Sequence, residues 1–271
     1  SGLYITRDGG ATWEVLATAD DEALPRRIGA LVASPHTASL LYLGGVNLDE
    51  RQVGGLYRSC DAGKSWLREN SPSSNNYWCH SIALHPDGAV FAALEMHGWQ
   101  TGIYRCEGAG SDTWKQLHGG LPPGDKTGRI SLALAPSHPD TMYALVSDPL
   151  GKEVLGVYRS RDRGERWQEV GGPAFDAEEQ GCYNNAIAVH PQDPGTVVCG
   201  LNDLHITRDA GATWVRASQW DADEGTPQRV HGDQHAILLP GGNLIYAAND
   251  GGVAISEDMG GTWSGRGNGM V

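Results

Sequence analysis

Thr6-Arg7-Asp8-Gly9-Gly10-Ala11-Thr12-Trp13 is the stretch that decides the fold, because its pattern of hydroxyl, Asp, Gly and Trp returns along the whole chain. Four further copies keep most of these positions, and one degenerate copy fills the remaining gap. The four copies are residues 59–66, 160–167, 207–214 and 256–263, and the degenerate copy is 106–114.

The motif predicts a tight β-hairpin loop. An Asp side chain accepts hydrogen bonds from the backbone N–H groups of its own turn, and the hydroxyl two residues earlier adds another local bond. The Gly adopts a positive φ that other residues resist. The Trp begins the return strand and packs its ring under the loop. This pattern indicates architecture rather than chemistry.

The repeated stretch resembles the Asp-box (BNR) repeat of sialidases, xyloglucanase-type glycoside hydrolases, sortilin-type receptors and photosystem assembly factors. The resemblance covers nearly the whole chain. It implies an all-β fold, a β-propeller of four-stranded antiparallel blades with one box hairpin in each blade. It does not imply one activity, because function lies in sites placed on the fold.

The spacing of the boxes supports a single propeller domain over residues 1–271. Successive box Asp residues lie 53 apart from Asp8 to Asp61, and 49 apart from Asp209 to Asp258. A four-stranded blade has about 40–50 residues. Between the boxes, five strand pairs are expected, each beginning with an inner strand that ends near a Pro. These pairs lie at 27–44, 80–95, 129–147, 185–201 and 235–249.

Six box hairpins and five inner pairs give 22 strands, so the chain is expected to start and end mid-blade. Two explanations compete. Either the chain is an incomplete fragment of a six- or seven-bladed propeller, or another chain supplies the missing strands. We favour the fragment.

The charge and composition exclude several function classes. With 20 basic and 33 acidic residues the net charge is −13, which argues against non-specific nucleic-acid binding and against anionic membranes. The apolar runs are of strand length, so no membrane insertion is expected. No signal peptide is visible, and only the family resemblance favours an extracytoplasmic or secreted location.

The five cysteines show no zinc or haem spacing. Two disulfides with one free thiol are compatible with the count, but five unpaired thiols are the favoured interpretation. The cysteines are Cys60, Cys79, Cys106, Cys182 and Cys199.

The box loops and the Pro turns should share one end of each blade, which leaves the opposite end for a ligand site. Three of the nine Trp residues lie outside the boxes, and all three fall at that opposite end. They are Trp78, Trp99 and Trp220. Flat aromatic faces there favour stacking on sugar rings, although each ring can also simply pack its own loop.

His231-Gly232-Asp233-Gln234-His235, followed by Asn249-Asp250-Gly251-Gly252, is the most unusual segment. Strand alternation would place His231, Asp233 and His235 on one side, where they could serve as a general acid/base pair. A metal site completed by waters and a structural hydrogen-bond belt are the alternatives. Similar entries and exits occur in uncharacterised Asp-box relatives. We predict catalytic roles for these three side chains and expect no cofactor.

Glycoside hydrolysis needs two carboxyl groups. Many carboxylates lie at the predicted site end, and we select Asp233 with Glu95 or Asp49 as the pair. The predicted substrate-binding residues are the three non-box Trp side chains together with Tyr77, Tyr183, Asn184, Arg129 and Asp250.

Sialidase activity is not expected. That family carries an Arg-Ile-Pro segment and three arginines that hold the substrate carboxylate. Here residues 26–29 read Arg-Arg-Ile-Gly and lack the Pro, and Arg129 is a second candidate without a third.

The sequence therefore predicts a carbohydrate-active or glycan-binding propeller, glycoside hydrolase-like, that takes a poly- or oligosaccharide. The alternatives are a non-enzymatic scaffold that binds a protein partner, and a polysaccharide lyase that uses Tyr183 with His231. The acidic chain lacks the basic patch expected of a photosystem assembly factor.

Overall fold

The computed structural model describes residues 2–18, 24–25, 27–46, 54–69, 77–96, 98–108, 111, 113–172 and 180–265. These residues form two compact units, Ser1–Leu117 and His118–Val271. In the described part of the chain, no helix is long and apolar enough to cross a membrane.

The first unit contains ten strands in one two-stranded sheet and two four-stranded antiparallel sheets. A short 3-10 helix, Gly98–Gln100, precedes β9. The strands are β1 (Gly2–Ile5), β2 (Glu14–Thr18), β3 (Arg27–Ala33), β4 (Leu41–Val46), β5 (Gly55–Ser59), β6 (Leu67–Arg68), β7 (Trp78–Leu84), β8 (Val90–Glu95), β9 (Gly102–Cys106) and β10 (Trp114–Leu117).

The second unit contains three four-stranded antiparallel sheets. A 3-10 helix, Gly124–Lys126, precedes them. The strands are β11 (Ile130–Leu134), β12 (Met142–Ser147), β13 (Val154–Ser160), β14 (Trp167–Glu169), β15 (Ala186–Val189), β16 (Val197–Gly200), β17 (Leu204–Thr207), β18 (Val215–Arg216), β19 (Gln234–Gly241), β20 (Leu244–Asn249), β21 (Gly252–Ser256) and β22 (Ser264–Gly265).

Each four-stranded sheet pairs its strands in chain order, which is the arrangement of a β-propeller blade. The all-β class and the four-stranded blades are therefore confirmed. The described residues form five such blades and the β1–β2 pair, not the six or seven blades that were expected. Within the described ranges the first hairpin has no inner pair of its own, as the strand count had indicated.

The buried cores lie between neighbouring blades within each unit. In the second unit Tyr143, Leu145 and Val157 of one blade pack with Val189 and Cys199 of the next. All five cysteines are free thiols, in agreement with the favoured interpretation. Burial raises the pKa of Cys79 and of Cys199 far above the ordinary thiol value, so these two act as small apolar core residues.

The box loops share one local geometry. In the box at 207–214, Thr207 Oγ1 donates to Asp209 Oδ1 at 2.7 Å, and Gly211 N donates to Thr207 Oγ1 at 2.9 Å. Thr213 donates to the same carboxylate through its backbone N (2.8 Å) and its hydroxyl (2.6 Å). The carboxylate thus closes the loop on itself. The same set of bonds recurs around Asp8, Asp61 and Asp258.

Four boxes, at 59–66, 160–167, 207–214 and 256–263, are also tied to the turn that follows the inner strand of their own blade. Ala210 N donates to Gly195 O at 2.8 Å, and Met259 N donates to Asn243 O at 2.8 Å. Within a blade the box and the inner turn therefore lie at the same end, as predicted. The opposite end carries the loops described next.

Candidate functional site

The second unit gathers polar side chains at the blade ends that lie away from the boxes. They come from four connecting segments: residues 180–185 before β15, 201–203 between β16 and β17, 230–233 before β19, and 249–251 between β20 and β21. Most of the residues predicted in this unit lie on these segments.

Tyr183, Asp250 and His235 form a hydrogen-bonded chain. His235 Nε2 lies 2.7 Å from Asp250 Oδ1, and the Tyr183 hydroxyl donates to Asp250 Oδ2 at 3.2 Å. The Tyr183 and His235 rings meet edge to face, with centroids 4.9 Å apart. The three side chains are partly exposed, so a ligand can reach them.

The hydrogen bond from His235 lowers the pKa of Asp250 below its ordinary value, and the bond from Tyr183 acts in the same direction. Asp250 is therefore a carboxylate at neutral pH. An ionised acceptor requires a proton on His235 Nε2, which fixes the state of that ring nitrogen. The arrangement can orient His235 for proton transfer, because the contact with Asp250 and the edge-to-face packing of Tyr183 hold the imidazole in one position.

The side chain of Asp233 is oriented differently from the prediction. Its φ is 63°, a left-handed conformation that is uncommon for a residue other than Gly. β19 begins only at Gln234, and its pairing with β20 is irregular between Gln234 and Ala236. Strand alternation therefore does not hold from 231 to 235, and the expectation that His231, Asp233 and His235 share one side was wrong. Asp233 Oδ1 instead accepts a bond of 2.7 Å from Asn184 Nδ2.

The buried side chain of Gln234 ties three of the segments together. Its Nε2 donates to His231 O (2.6 Å) and to Asn202 O (3.0 Å), and its Oε1 accepts from Asn249 Nδ2 at 3.3 Å. Gln234 was not among the predicted site residues. Its position between Asp233 and His235 was the sequence feature that could have indicated a role in the site.

His231 packs its ring on Gly251. A Cβ at Gly251 would lie 2.7 Å from His231 Cγ, so only Gly is compatible with this contact. This explains one glycine of the Asn-Asp-Gly-Gly exit. His231 thus lies against the loop that carries Asp250, whereas Tyr183 contacts His235 rather than His231.

A cavity of about 600 Å³ opens beside these segments. It is lined by Gln180, Asn202, Trp220, Arg229, His231, Gly232, Asp233 and Gly251. Trp220 is 48% exposed, which leaves its ring available to a ligand. Arg229, which pairs with Glu224 at 3.4 Å, is a lining residue that the sequence analysis missed.

An ion pair between the exposed Arg216 and the buried Asp203 holds the Trp220 loop. Arg216 Nε donates to Asp203 Oδ2 at 2.8 Å, while Ser218 Oγ and Trp220 N both donate to Asp203 Oδ1 at 2.9 Å. Burial raises the pKa of the Asp203 carboxyl above its ordinary value. Asp203 is fully engaged within the protein, so its role is to position Trp220.

The side chain of Arg129 binds backbone carbonyl groups of the segment before β15. Its guanidinium donates to Tyr183 O at 2.6 Å and to Cys182 O at 3.2 Å. These bonds fasten the segment that presents Tyr183 and Asn184. Arg129 therefore supports the predicted substrate-binding residues, and its contacts give no indication of a substrate carboxylate.

The first unit carries the other predicted residues. His80 Nε2 lies 2.8 Å from Glu95 Oε2, and the Trp78 ring meets the His80 ring edge to face at 6.0 Å. Trp99 is 69% exposed. Tyr77 is only 2% exposed and accepts a bond from Leu56 N at 3.3 Å, so it is a core residue in this structure.

The predicted carboxylate pairing stays a prediction. Asp233 and Glu95 lie in different units, and Asp49 lies outside the described residues. Across the described ranges, no group of three His, Cys, Asp or Glu side chains is arranged to hold a metal ion.

The amino-acid sequence is similar, at low identity, to curated proteins named xyloglucanases. No family model matches. A probable oligoxyloglucan-reducing end-specific xyloglucanase of Neosartorya fischeri is 24% identical over 242 residues, which cover 74% of this chain and 28% of that protein. The chain spans about a quarter of the length of the curated relatives that it matches.

Two of the solved structures that match illustrate the shared fold. One is an ancestral GH74 enzyme, with a TM-score of 0.66 and 18% identity over 94% of this chain and 33% of that one. The other is YCF48 bound to D1 peptide, with a TM-score of 0.57 and 18% identity over 93% of this chain and 70% of that one. At these identities the likeness concerns the fold alone.

Proposed function

We propose that the chain is a carbohydrate-active, glycoside hydrolase-like β-propeller whose site is the cavity of the second unit. The observation that carries the proposal is one wall that combines an exposed aromatic ring, a carboxylate and an imidazole: Trp220, Asp233 and His231. Sugar sites combine flat aromatic surfaces with a few convergent polar groups.

The distant relatives support a polysaccharide substrate. Curated proteins with detectable similarity are xyloglucanases, and they come from two fungi and from Paenibacillus. We infer a xyloglucan-type or related polysaccharide, and an extracytoplasmic location follows from a substrate of that class. The regular box spacing supports one propeller domain over residues 1–271.

We assign roles as part of this proposal. Trp220 stacks on a sugar ring. His235 does not line the cavity, but Asp250, which orients it, adjoins the lining residue Gly251; His235 donates a proton to the leaving oxygen as the glycosidic bond breaks. Asp233, which lines the cavity, directs the attacking water and accepts its proton. This assignment keeps Asp233 but gives the acid role, predicted for the carboxyl group of Glu95 or Asp49, to the imidazole of His235, so that both groups lie in the second unit.

A panel of plant, algal and microbial polysaccharides, read for new reducing ends, tests the proposal. The wild-type protein should release reducing ends from a xyloglucan-type substrate. Asp233→Asn and Asp250→Asn should each lower turnover by about 10²-fold or more, the size of a typical general acid/base contribution.

Asp125→Asn is the matched control, because Asp125 is exposed in the 3-10 helix before β11 and does not line the cavity. It should keep wild-type turnover. No release from any substrate in the panel would contradict the hydrolase proposal.

A protein-binding scaffold is the second candidate. Trp99, Tyr183 and Trp220 expose 69%, 52% and 48% of their surfaces, and exposed aromatic side chains are enriched where proteins bind partners. A scaffold would show no turnover with any polysaccharide. Its Asp233→Asn variant would bind the protein partner as well as the wild type does.

The edge-to-face contact of Tyr183 and His235 favours a polysaccharide lyase as a third candidate. The histidine of this candidate is His235, whereas the sequence predicted a pair of Tyr183 with His231. A lyase would generate unsaturated product ends, which ultraviolet absorbance distinguishes from hydrolytic products in the same panel.

A further inference from the structure

One amide nitrogen in the second unit is surrounded by three oxygen atoms. Asn184 Nδ2 lies 2.7 Å from Asp233 Oδ1, 2.9 Å from Asn202 Oδ1 and 3.4 Å from Gln180 Oε1. An NH₂ group carries two hydrogens, so it cannot give a full hydrogen bond to all three acceptors.

The opposite atom of the same amide is unsatisfied. Asn184 is 0% exposed, and its Oδ1 has no hydrogen-bond partner among the described residues. A buried acceptor without a partner costs about 1–3 kcal/mol. Rotation of the amide about χ2 would place Oδ1 at the present position of Nδ2, 2.7–3.4 Å from the three oxygen atoms, and would gather four oxygen atoms there.

We propose that Asp233, Asn184, Asn202 and Gln180 form a Ca²⁺ site. Carboxylate and amide oxygens together with waters are the ligands that Ca²⁺ prefers, and its shell holds six to eight of them. The cavity is lined by Gln180, Asn202 and Asp233, so it admits the waters that complete the shell.

The four ligands come from three separate segments, before β15, between β16 and β17, and before β19. A cation bound there joins these loops in a fixed arrangement. The oxygens need no regular octahedral geometry, and this favours Ca²⁺ over Mg²⁺, which requires a near-ideal octahedron. The chain charge of −13 also favours cation binding.

The site is compatible with the proposed function but does not depend on it. Asp233 is a ligand in the cation site, and proton donation in the proposed reaction stays with His235. Ca²⁺ binding is measured without any substrate, so the two proposals fail separately.

Calcium titration by calorimetry and by thermal unfolding, after EDTA treatment, tests the site. With a single carboxylate in the cluster, the Kd should lie between about 10⁻⁴ and 10⁻³ M. Ca²⁺ at 10 mM should then raise the Tm by about 3 °C, whereas Mg²⁺ at the same concentration should have no effect.

Asp233→Asn should abolish the heat signal, and Gln180→Leu should weaken binding by about 10-fold. Gln180 is exposed, so its replacement keeps the fold even where Asp233→Asn does not. Asp250→Asn, the same substitution at a carboxylate outside the cluster, should bind Ca²⁺ as the wild type does. Absence of binding at 10 mM Ca²⁺, equal binding of Mg²⁺, or unchanged affinity in Gln180→Leu would overturn the proposal.

Discussion

The carboxylates of the box loops are held ionised by their own turns. Hydrogen bonds from the hydroxyl and the backbone of Thr213 lower the pKa of Asp209 to about 2. Bonds of the same kind lower the pKa of Asp8 and of Asp61 to about 2. The short polar residues of the motif thus act through local bonds rather than through burial.

These pKa shifts predict acid sensitivity. The folded-state pKa lies below the ordinary value of 3.8, so the stabilisation is complete above about pH 4 and is lost as the pH falls toward 2. Thermal unfolding as a function of pH should show a falling Tm across this window. Asp209→Asn should flatten the profile relative to Asp125→Asn, and identical profiles for the two variants would contradict this explanation.

The residue before each box Gly also has a left-handed backbone. Ala62, Arg163, Ala210 and Met259 have φ between 55° and 61°, and Gly9 occupies the same position in the first box. The sequence predicted the positive φ of the Gly but not that of its neighbour, because the neighbour varies in residue type and gives no compositional signal.

Neighbouring substitutions in one box should therefore have opposite effects. Ala210→Gly relieves the left-handed strain and should stabilise the protein by about 0.5 kcal/mol, after the greater entropy of the unfolded chain is subtracted. Gly211→Ala should destabilise it by at least about 2 kcal/mol, because φ is 97° and the new Cβ would lie 2.6 Å from Val170 Cγ2. Urea unfolding measures both, and equal effects would refute the argument.

At the scale of elements, the side-chain orientations at the start of β19 could not be predicted from the sequence. The side-chain types at 231–235 were informative, and Asp233, His235 and Asp250 do lie in one region of the second unit. Their directions were not predictable, since the left-handed φ at Asp233 and the irregular pairing beyond Gln234 break the period of two. Such a break arises from tertiary contacts, here with Asn184 and Asn202.

Gln234 should be the main structural support of this region. Gln234→Ala removes three hydrogen bonds and leaves the carbonyls of His231 and Asn202 without this donor. We expect a loss of about 3 kcal/mol in the free energy of unfolding. Gln168→Ala, at an exposed position of β14, is the control and should change it by less than about 0.5 kcal/mol. A small effect at Gln234 would mean that the segments hold their positions independently.

At the scale of the whole molecule, the repeated boxes were sufficient to predict the class of fold and the number of strands. Twenty-two strands were expected and twenty-two are seen in the described residues. The blade number was not predictable, because it depends on how many repeats the polypeptide supplies rather than on the physics of one repeat. The location of the site was only partly predictable, because the Trp residues at the site end are divided between the two units.

The central claim is that sugar binds at the Trp220 cavity of the second unit, and a fluorescence titration with xyloglucan oligosaccharides tests it most directly. Wild-type protein and Trp99→Ala should both show a saturable change in tryptophan emission. Trp220→Ala should lose most of that change and bind about 10-fold more weakly, because removal of one stacking ring costs about 1.4 kcal/mol. An unchanged response in Trp220→Ala, or no response in the wild type, would contradict the claim.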